Sequence, residues 1–340
     1  MRKFGILLIS LCAICLIGIS CSKSDSPSKG KELTVSLKLG GDFSVDVGQD
    51  PLTKVGETPT DAYGINVYYD KEGDGQTNDI YAYGLFDNTA DMNITLLSGH
   101  RYKVACNLVK DARNTLYYGQ AFNNTYSGYA YPFQTTASNS TLINNKFIIG
   151  TSTYFNGFSS GNAHVATATT SPSTSNATAY PSVNRFYGET DQYEPVPNGT
   201  IDIYLKRVVF GAKFVVSGLQ EGTATVTGGA FFSKTYSTND EGTGKIYTFP
   251  NVYNAWKEGL PLVANVSVNY TSSRGSLWNL SQNQDIQFKR NVMTTVNIIL
   301  NPDLSGATFN ITEEELGEDN IIDLGINTDG LIDITVNPNN

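Results

Sequence analysis

Apolar residues recur at every second position through much of the chain, which is the pattern of a β-strand with one buried face. The clearest case is the stretch LTVSLKLGGDFSVDV, residues 33–47. Seven apolar residues share one parity there: Leu33, Val35, Leu37, Leu39, Phe43, Val45 and Val47. Helical stripes of useful length do not occur. The sequence therefore predicts an all-β fold that begins with one long strand, kinked at Gly40-Gly41.

Similar runs flank a less regular middle segment. Strands are predicted at residues 63–69, 79–86, 92–97, 101–109, 201–216, 262–270 and 291–300. Residues 117–194 are instead rich in Asn, Thr, Ser, Gly and Tyr, which favours long surface loops. Two prolines and a turn follow in Glu194 to Gly199. We expect two tandem β-sandwiches of the transthyretin-like, Greek-key type, over residues 33–197 and 198–340.

Three short patterns in the second half predict local structure. Residues 254–259 favour a helical turn. Residues 312–316 do so as well, because Thr312 and Glu315 have the spacing of a capping box. Asp329-Gly330 lies between two alternating runs and predicts a hairpin turn.

The first 20 residues are organised like a secretion signal. Two basic residues precede the apolar run Phe4 to Ile19, and the small Ser20 ends it. A membrane-spanning helix is the weaker interpretation, because the apolar run is shorter than the roughly 20 residues that a bilayer requires. We therefore predict a signal peptide over residues 1–20.

Cys21 directly follows this segment. The stretch Ile17 to Cys21 resembles the lipobox of bacterial lipoproteins, in which the cysteine thiol receives diacylglycerol, although Gly18 stands where Leu is commonest. Acyl chains on Cys21 would anchor the chain, and residues 21–32 would form a flexible tether. The alternative is an ordinary signal peptide with a chance cysteine.

Cysteine and charge counts exclude several classes of protein. Cys106 is the one cysteine left after signal removal and lipidation, so no disulfide framework is expected and Cys106 is predicted to be a buried apolar residue. Removing the two basic residues of the signal leaves 21 basic against 32 acidic side chains. No basic patch occurs, which argues against nucleic acid as a partner.

Several features resemble catalytic or metal sites without completing one. Asp70 to Asp79 imitates a calcium loop, but Tyr81 stands where the bidentate Glu is expected, so an acidic hairpin loop is the better interpretation. His100 and His164 lack zinc-site spacing. No GxSxG motif occurs. We therefore expect no enzyme activity, no metal and no cofactor.

The tyrosine-rich segment Leu116 to Phe133 supports an alternative function. Exposed aromatic rings, with Tyr129 and Tyr131 as candidates, stack on sugars in many binding proteins, so a monomeric glycan-binding surface lipoprotein is the alternative. Tyrosines that pack at the rim of a sandwich would give the same composition.

Three segments, together with the lipobox, resemble the fimbrillin-like lipoproteins that supply the subunits of type V pili. They are DPLTKVGETPTDAYGINVYYD, NRFYGETDQYEPVPNGTIDIYLKRVVFGAKFVV and FKRNVMTTVNIILNPD. The resemblance implies export to the outer membrane, cleavage by a trypsin-like protease after the first strand, and filling of the vacated groove by the C-terminal strand of another subunit. The implied partners are other pilus subunits, outer-membrane lipid before processing, and a host or bacterial surface ligand.

The resemblance also assigns candidate residues. No Arg occurs between Cys21 and Arg101, so Lys54 is the candidate cleavage site, and a solvated loop lysine is its alternative. The candidate donor strand is the final alternating run, with Leu331, Ile332, Ile334 and Val336. An uncut chain would instead be a pilus anchor, a minor subunit or an independent surface lipoprotein.

Overall fold

The structure is a computed structural model of the 340-residue chain. It describes residues 30–42, 60–120, 127–136, 141–158, 165, 167, 180–238, 240, 242–280, 284–316, 325–326 and 332–333. Within these residues no helix is long and apolar enough to span a membrane.

Strands dominate the secondary structure of the described residues and helix is confined to three short segments, which confirms the all-β prediction. The strands of the first half are β1 Glu32–Gly41, β2 Ala62–Tyr69, β3 Asp79–Phe86, β4 Asn93–Leu97, β5 Tyr102–Val109, β6 Tyr118–Gln120, β7 Ser127–Tyr129, β8 Phe147–Ile149, β9 Arg185–Tyr193 and β10 Thr200–Arg207. Those of the second half are β11 Val209–Ser217, β12 Thr223–Gly228, β13 Phe232–Tyr236, β14 Gly244–Thr248, β15 Leu262–Thr271, β16 Leu277–Asn279, β17 Gln284–Phe288, β18 Val292–Leu300, β19 Ala307–Glu315, β20 Gly325–Ile326 and β21 Ile332–Asp333. The helices are α1 Ala112–Thr115, α2 Val252–Lys257 and a 3-10 turn at Thr89–Asp91.

Eight strands of the first half form one folded sheet in the order β4-β1-β10-β9-β5-β2-β3-β8, and β6 and β7 pair separately with each other. β10 and β9 are joined by only two residue pairs, at Lys206 and Arg207, so the two parts of the sheet turn toward each other at this junction. Apolar side chains of β1, β4 and β10 pack there against those of β2, β3 and β5 in one core. This arrangement places β1 at the centre of one layer.

The chain leaves this sheet at Val208, which is fully buried. β10 pairs with β1 and β9, whereas β11 pairs with β14 and β18 in a different sheet. β10 therefore lies in the first sheet although it follows residue 197, where the sequence predicts the domain boundary. The division of the chain into domains remains a prediction.

Two facing sheets make up the second half. One has the order β14-β11-β18-β19, and the other has β13-β12-β15, with β16 and β17 both paired to β15. Their core is aromatic, with the ring centroids of Phe210 and Phe288 5.5 Å apart and those of Phe214 and Phe232 4.3 Å apart.

One of the two predicted helical turns is present. α2 is capped by Asn251, whose Oδ1 accepts from the backbone N of Asn254 at 2.9 Å. The helical prediction at residues 312–316 is wrong, because β19 pairs with β18 over nine residues up to Glu315. The exposed Glu313 to Glu315 end an edge strand, where charge discourages pairing with other chains.

The segment predicted as surface loops contributes to the core. Phe133, Phe155 and Phe158 are at most 3% exposed and cover the outer face of the sheet. Gly64 of β2 makes room for them, since a Cβ atom there would lie 2.7 Å from the Phe133 ring. Both faces of β2 are therefore buried.

Candidate functional site

β1 is the strand that holds two neighbours together. Residues Ser36 to Gly41 pair in parallel with Thr200 to Leu205 of β10. Residues Glu32 to Ser36 pair antiparallel with Leu97 to Asn93 of β4. β1 therefore supplies hydrogen-bond partners to the backbone groups along one edge of each neighbour, and its removal would leave those groups unpaired on both strands.

The inward side of β1 is apolar, as its alternation predicts. Leu33, Val35, Leu37 and Leu39 are 9%, 1%, 7% and 8% exposed, and the residues between them are exposed. The core residues beside them in the same layer come from β4 and β10: Ile94, Leu96, Ile201, Ile203 and Leu205. β1 ends at Gly41, so these four side chains lie in the described strand, while Phe43, Val45 and Val47 lie outside the described residues.

The start of β1 is fixed by backbone contacts with the end of β4. The backbone N of Lys31 donates to Ser98 Oγ at 2.8 Å, and the backbone N of Ser98 donates to the Lys31 carbonyl oxygen at 2.9 Å. Ser36 in the middle of the strand also donates from Oγ to Asn93 Oδ1 at 2.8 Å. These bonds set the register of β1 against β4.

The end of β1 is fixed by a charged contact with the second half of the chain. Asp42 Oδ2 lies 2.6 Å from Arg290 Nη1 and accepts from the backbone N of Arg207 at 3.2 Å. The backbone N of Asp42 donates to the Leu205 carbonyl oxygen at 2.9 Å. Gly41 has a φ of +131°, and a Cβ atom there would overlap the Leu205 carbonyl oxygen. Gly41 and Asp42 together therefore form a specific terminus for the strand.

Sequence reasoning did not find the Asp42–Arg290 contact. The two residues are 248 positions apart, and neither belongs to a recognisable motif. The only signal was Gly40-Gly41, which indicated a kink but no partner.

A buried polar network holds the covering segment on the outer face of the sheet. Arg185 is fully buried and donates to Asn107 Oδ1 at 2.7 Å and to the carbonyl oxygens of Gly157 and Phe158 at 3.0 and 3.1 Å. Asn66 is bound to the backbone of Phe155 through two bonds of 3.0 Å. Burial lowers the pKa of Arg185 to about 9.

The acidic loop after β2 is held by hydrogen bonds within the loop and to the residues just before β5. Asp70 is 4% exposed and accepts from the backbone N of Arg101 at 2.7 Å, with His100 Nδ1 3.4 Å away. Asp74 accepts from the backbone N of Gln76 at 2.8 Å. This loop borders a polar cavity of about 430 Å³. Among the described residues, no three His, Cys, Asp or Glu side chains are grouped closely enough to hold a metal ion.

The tyrosines considered for sugar stacking differ in accessibility. Tyr129 is 3% exposed and packs edge-on against Phe133, with centroids 6.4 Å apart, whereas Tyr131 is half-buried. Burial raises the pKa of Tyr129. Its ring is therefore part of the core and is not available to a ligand.

Cys106 lies in β5 and is fully buried. Burial raises the pKa of its thiol, so the group stays protonated and unreactive.

The remaining predicted site residues lie largely outside the described part of the chain. This applies to Cys21, Lys54, Leu331, Ile334, Val336 and His164. Ile332 is in β21, which pairs antiparallel with β20, as expected for a hairpin around Asp329-Gly330.

Neither a protein-family model nor a curated protein matches the chain. Solved structures do, and they are cell adhesion and fimbrial proteins, the class that the sequence resemblance names.

Three of these structures illustrate how similar they are to the chain in sequence and in fold. A fimbrial assembly protein from Parabacteroides distasonis is 13% identical, with 83% of this chain and 99% of that chain covered and a TM-score of 0.31. The tip fimbrial protein Mfa3 from Porphyromonas gingivalis, with a C-terminal truncation, is 9% identical, with 84% and 100% covered and a TM-score of 0.29. A candidate cell adhesion protein from Bacteroides eggerthii is 14% identical, with 84% and 97% covered and a TM-score of 0.37. Because these scores are below 0.5, the functional proposal rests on the geometry of β1.

Proposed function

We propose that the chain is a structural, adhesive subunit of a type V cell-surface pilus, assembled by proteolytic loss of β1 and by strand exchange. The observation that supports this most is the central place of β1. It lies between β4 and β10, although residues 42–199 separate it from β10 in sequence. Strand addition to an open sheet edge is a common way to join protein chains. The proposal assigns no catalysis to the chain.

The energy of the vacated groove favours its refilling. Four buried Leu and Val side chains contribute about 1.5–3 kcal/mol each, or roughly 6–12 kcal/mol together. That is comparable to the whole stability of a typical domain, about 5–15 kcal/mol. A chain without β1 would therefore be only marginally stable until another strand replaced it.

The replacement strand comes from the C-terminal segment of the next subunit. Ile332, Ile334 and Val336 share one parity, as do Val35, Leu37 and Leu39 of β1, so either set presents three aliphatic side chains to the groove.

Before processing, the precursor is a lipoprotein of the outer membrane. Acyl chains on Cys21 hold it, residues 21–32 act as the tether, and cleavage after Lys54 releases the tether together with β1. An uncut chain would keep its groove closed and would serve as an anchor or minor subunit.

The N-terminal residue of the protein isolated from the cell surface tests this scheme. We expect Val55 for the assembled wild-type chain and an acylated Cys21 for the variant Lys54→Gln. Lys31→Gln is the matched control and should be processed normally. A wild-type chain that is isolated from pili with acylated Cys21 would contradict the proposed processing.

A further inference from the structure

The end of the β1 groove carries a carboxylate-binding site. Arg290 Nη1 and the backbone N of Arg207 both hold Asp42 Oδ2, and Arg290 is partly shielded, with 25% of its side chain exposed. If β1 leaves, Asp42 leaves with it. A cationic group and an N–H donor are then exposed at the end of an apolar groove, ready for another carboxylate.

Next to this contact, the backbone of β10 leaves no room for a side chain at position 41 of β1. The residue before Asp42 is Gly41, and the Leu205 carbonyl oxygen occupies the space that a Cβ atom would need. The groove thus sets three requirements for the strand that fills it. These are inward apolar residues at positions 35, 37 and 39, no side chain at position 41 and a carboxylate at position 42.

The C-terminal segment satisfies all three requirements in only one arrangement. Read backwards, Val336, Ile334 and Ile332 match positions 35, 37 and 39, Gly330 matches position 41 and Asp329 matches position 42. Read forwards with the same apolar matches, the segment places Pro338 at position 41 and the neutral Asn339 at position 42. A forward shift by two residues places Val336 at position 41. The forward arrangements therefore bring a side chain against Leu205 and leave Arg290 without a carboxylate.

We propose that residues 329–336 of a second copy of this chain enter the β1 groove in the direction opposite to β1, with Asp329 bound to Arg290 and Gly330 against Leu205. This inference rests on the proposed strand exchange. The incoming strand runs antiparallel to β10 and parallel to β4, the reverse of the two pairings that β1 makes. Arg290 is then the residue that selects the register and the direction of the donor.

Cysteine cross-linking between copies tests the direction without altering Arg290. Ser98 marks the groove where β1 starts, since its Oγ accepts from the backbone N of Lys31 at 2.8 Å. In the opposite direction Asn340 matches position 31 and lies beside Ser98, whereas in the forward direction Thr328 does. The full mature chain with Cys21→Ser would carry Ser98→Cys together with either Asn340→Cys or Thr328→Cys, and would be processed with trypsin and oxidised.

The inference predicts a covalent ladder on non-reducing gels for the pair with Asn340→Cys and none for the pair with Thr328→Cys. A covalent ladder only for the pair with Thr328→Cys would overturn the inferred direction while leaving strand exchange intact. The absence of any oligomer, covalent or not, in the chain with Cys21→Ser alone would instead refute the proposed function, and this inference with it.

Substitution tests the recognition by Arg290. Arg290→Gln should reduce the yield of oligomers at limiting concentration about tenfold, the scale of one lost hydrogen bond to a charged group. The control Lys289→Gln removes the same charge from the neighbouring residue, which contacts Glu313, and should leave the yield unchanged. Asp329→Asn should give the same loss as Arg290→Gln. Equal yields for the Arg290 and Lys289 variants would overturn the proposed recognition.

Discussion

At the scale of single residues, the fold depends on polar groups in buried positions. The guanidinium group of Arg185 joins β9, Asn107 of β5 and the carbonyl oxygens of Gly157 and Phe158. It thereby fixes the segment that covers the sheet opposite to β1, and the energetic consequence of losing it can be measured.

Arg185→Met should destabilise the chain by about 3 kcal/mol, because three buried acceptors lose a charged donor. Denaturant unfolding of the two chains gives the difference. Arg274→Met is the control at an exposed position and should change the free energy of unfolding by less than about 0.5 kcal/mol. Equal effects for both variants would contradict the role of the network.

Because several tyrosines are buried, we expect the protein to lose stability in alkali. Burial raises the pKa of Tyr68 and Tyr247 to about 12 and also raises that of Tyr63, Tyr102 and Tyr236. Tyrosines of the unfolded chain ionise near pH 10, whereas the buried ones resist ionisation in the folded chain. Their contribution to the stability of the fold is therefore fully present below about pH 10 and is lost as the pH rises further. Burial lowers the pKa of Arg185 to about 9 and also lowers that of Arg207, which acts in the opposite sense, but these are two groups against five.

The ultraviolet absorbance of tyrosinate, followed together with circular dichroism, tests this prediction. The tyrosinate of the buried residues should appear in the same pH interval in which the β-sheet signal is lost. Ionisation of all tyrosines near pH 10 with an unchanged β-sheet signal would contradict the burial of these rings.

At the scale of elements, β1 has one inward face on which its stability depends. Leu37→Ala should cost about 2–5 kcal/mol, because Leu37 is 7% exposed and its neighbours cannot fill the space. Lys38→Ala, one residue further and exposed, should cost less than about 0.5 kcal/mol. The free energy of unfolding of the two variants is measured on the uncleaved chain. A similar loss at both positions would mean that β1 does not have the register described.

The elements also show what the sequence can predict. The alternation of β1 is strong enough to give both the strand and its buried face. At residues 312–316 the local capping pattern predicts a helix, but nine residue pairs with β18 favour a strand. Tertiary pairing outweighs local propensity there, and a single sequence does not contain that information.

Long-range contacts limit prediction of the candidate site in the same way. The central position of β1 follows from the pairing with β10, which lies far along the chain, and the contact of Asp42 with Arg290 depends on how the second half docks at Val208. Phe133 and Phe155 stand in polar segments whose composition predicts exposed loops, yet both rings are buried. Composition describes the average of a segment, whereas burial is decided residue by residue.

At the scale of the whole molecule, β1 lies between β4 and β10, and in sequence residues 43–59 lie between it and the strands that follow. Cleavage at Lys54 would turn a closed subunit into one with an open groove, and the apolar C-terminal run of a neighbour would close it. The tether, the first strand and Asp42, whose side-chain carboxylate lies at the end of that strand, would leave in one step.

The measurement that tests this account most directly is the oligomeric state after processing. The mature chain with Cys21→Ser should be digested briefly with trypsin and run unboiled on a denaturing gel, beside a chain that ends at Thr328. The account predicts a ladder of subunits for the full chain, and only monomer for the shortened chain and for Lys54→Gln. A full chain that stays monomeric after β1 is released, or a ladder that persists without residues 329–340, would contradict assembly by strand exchange.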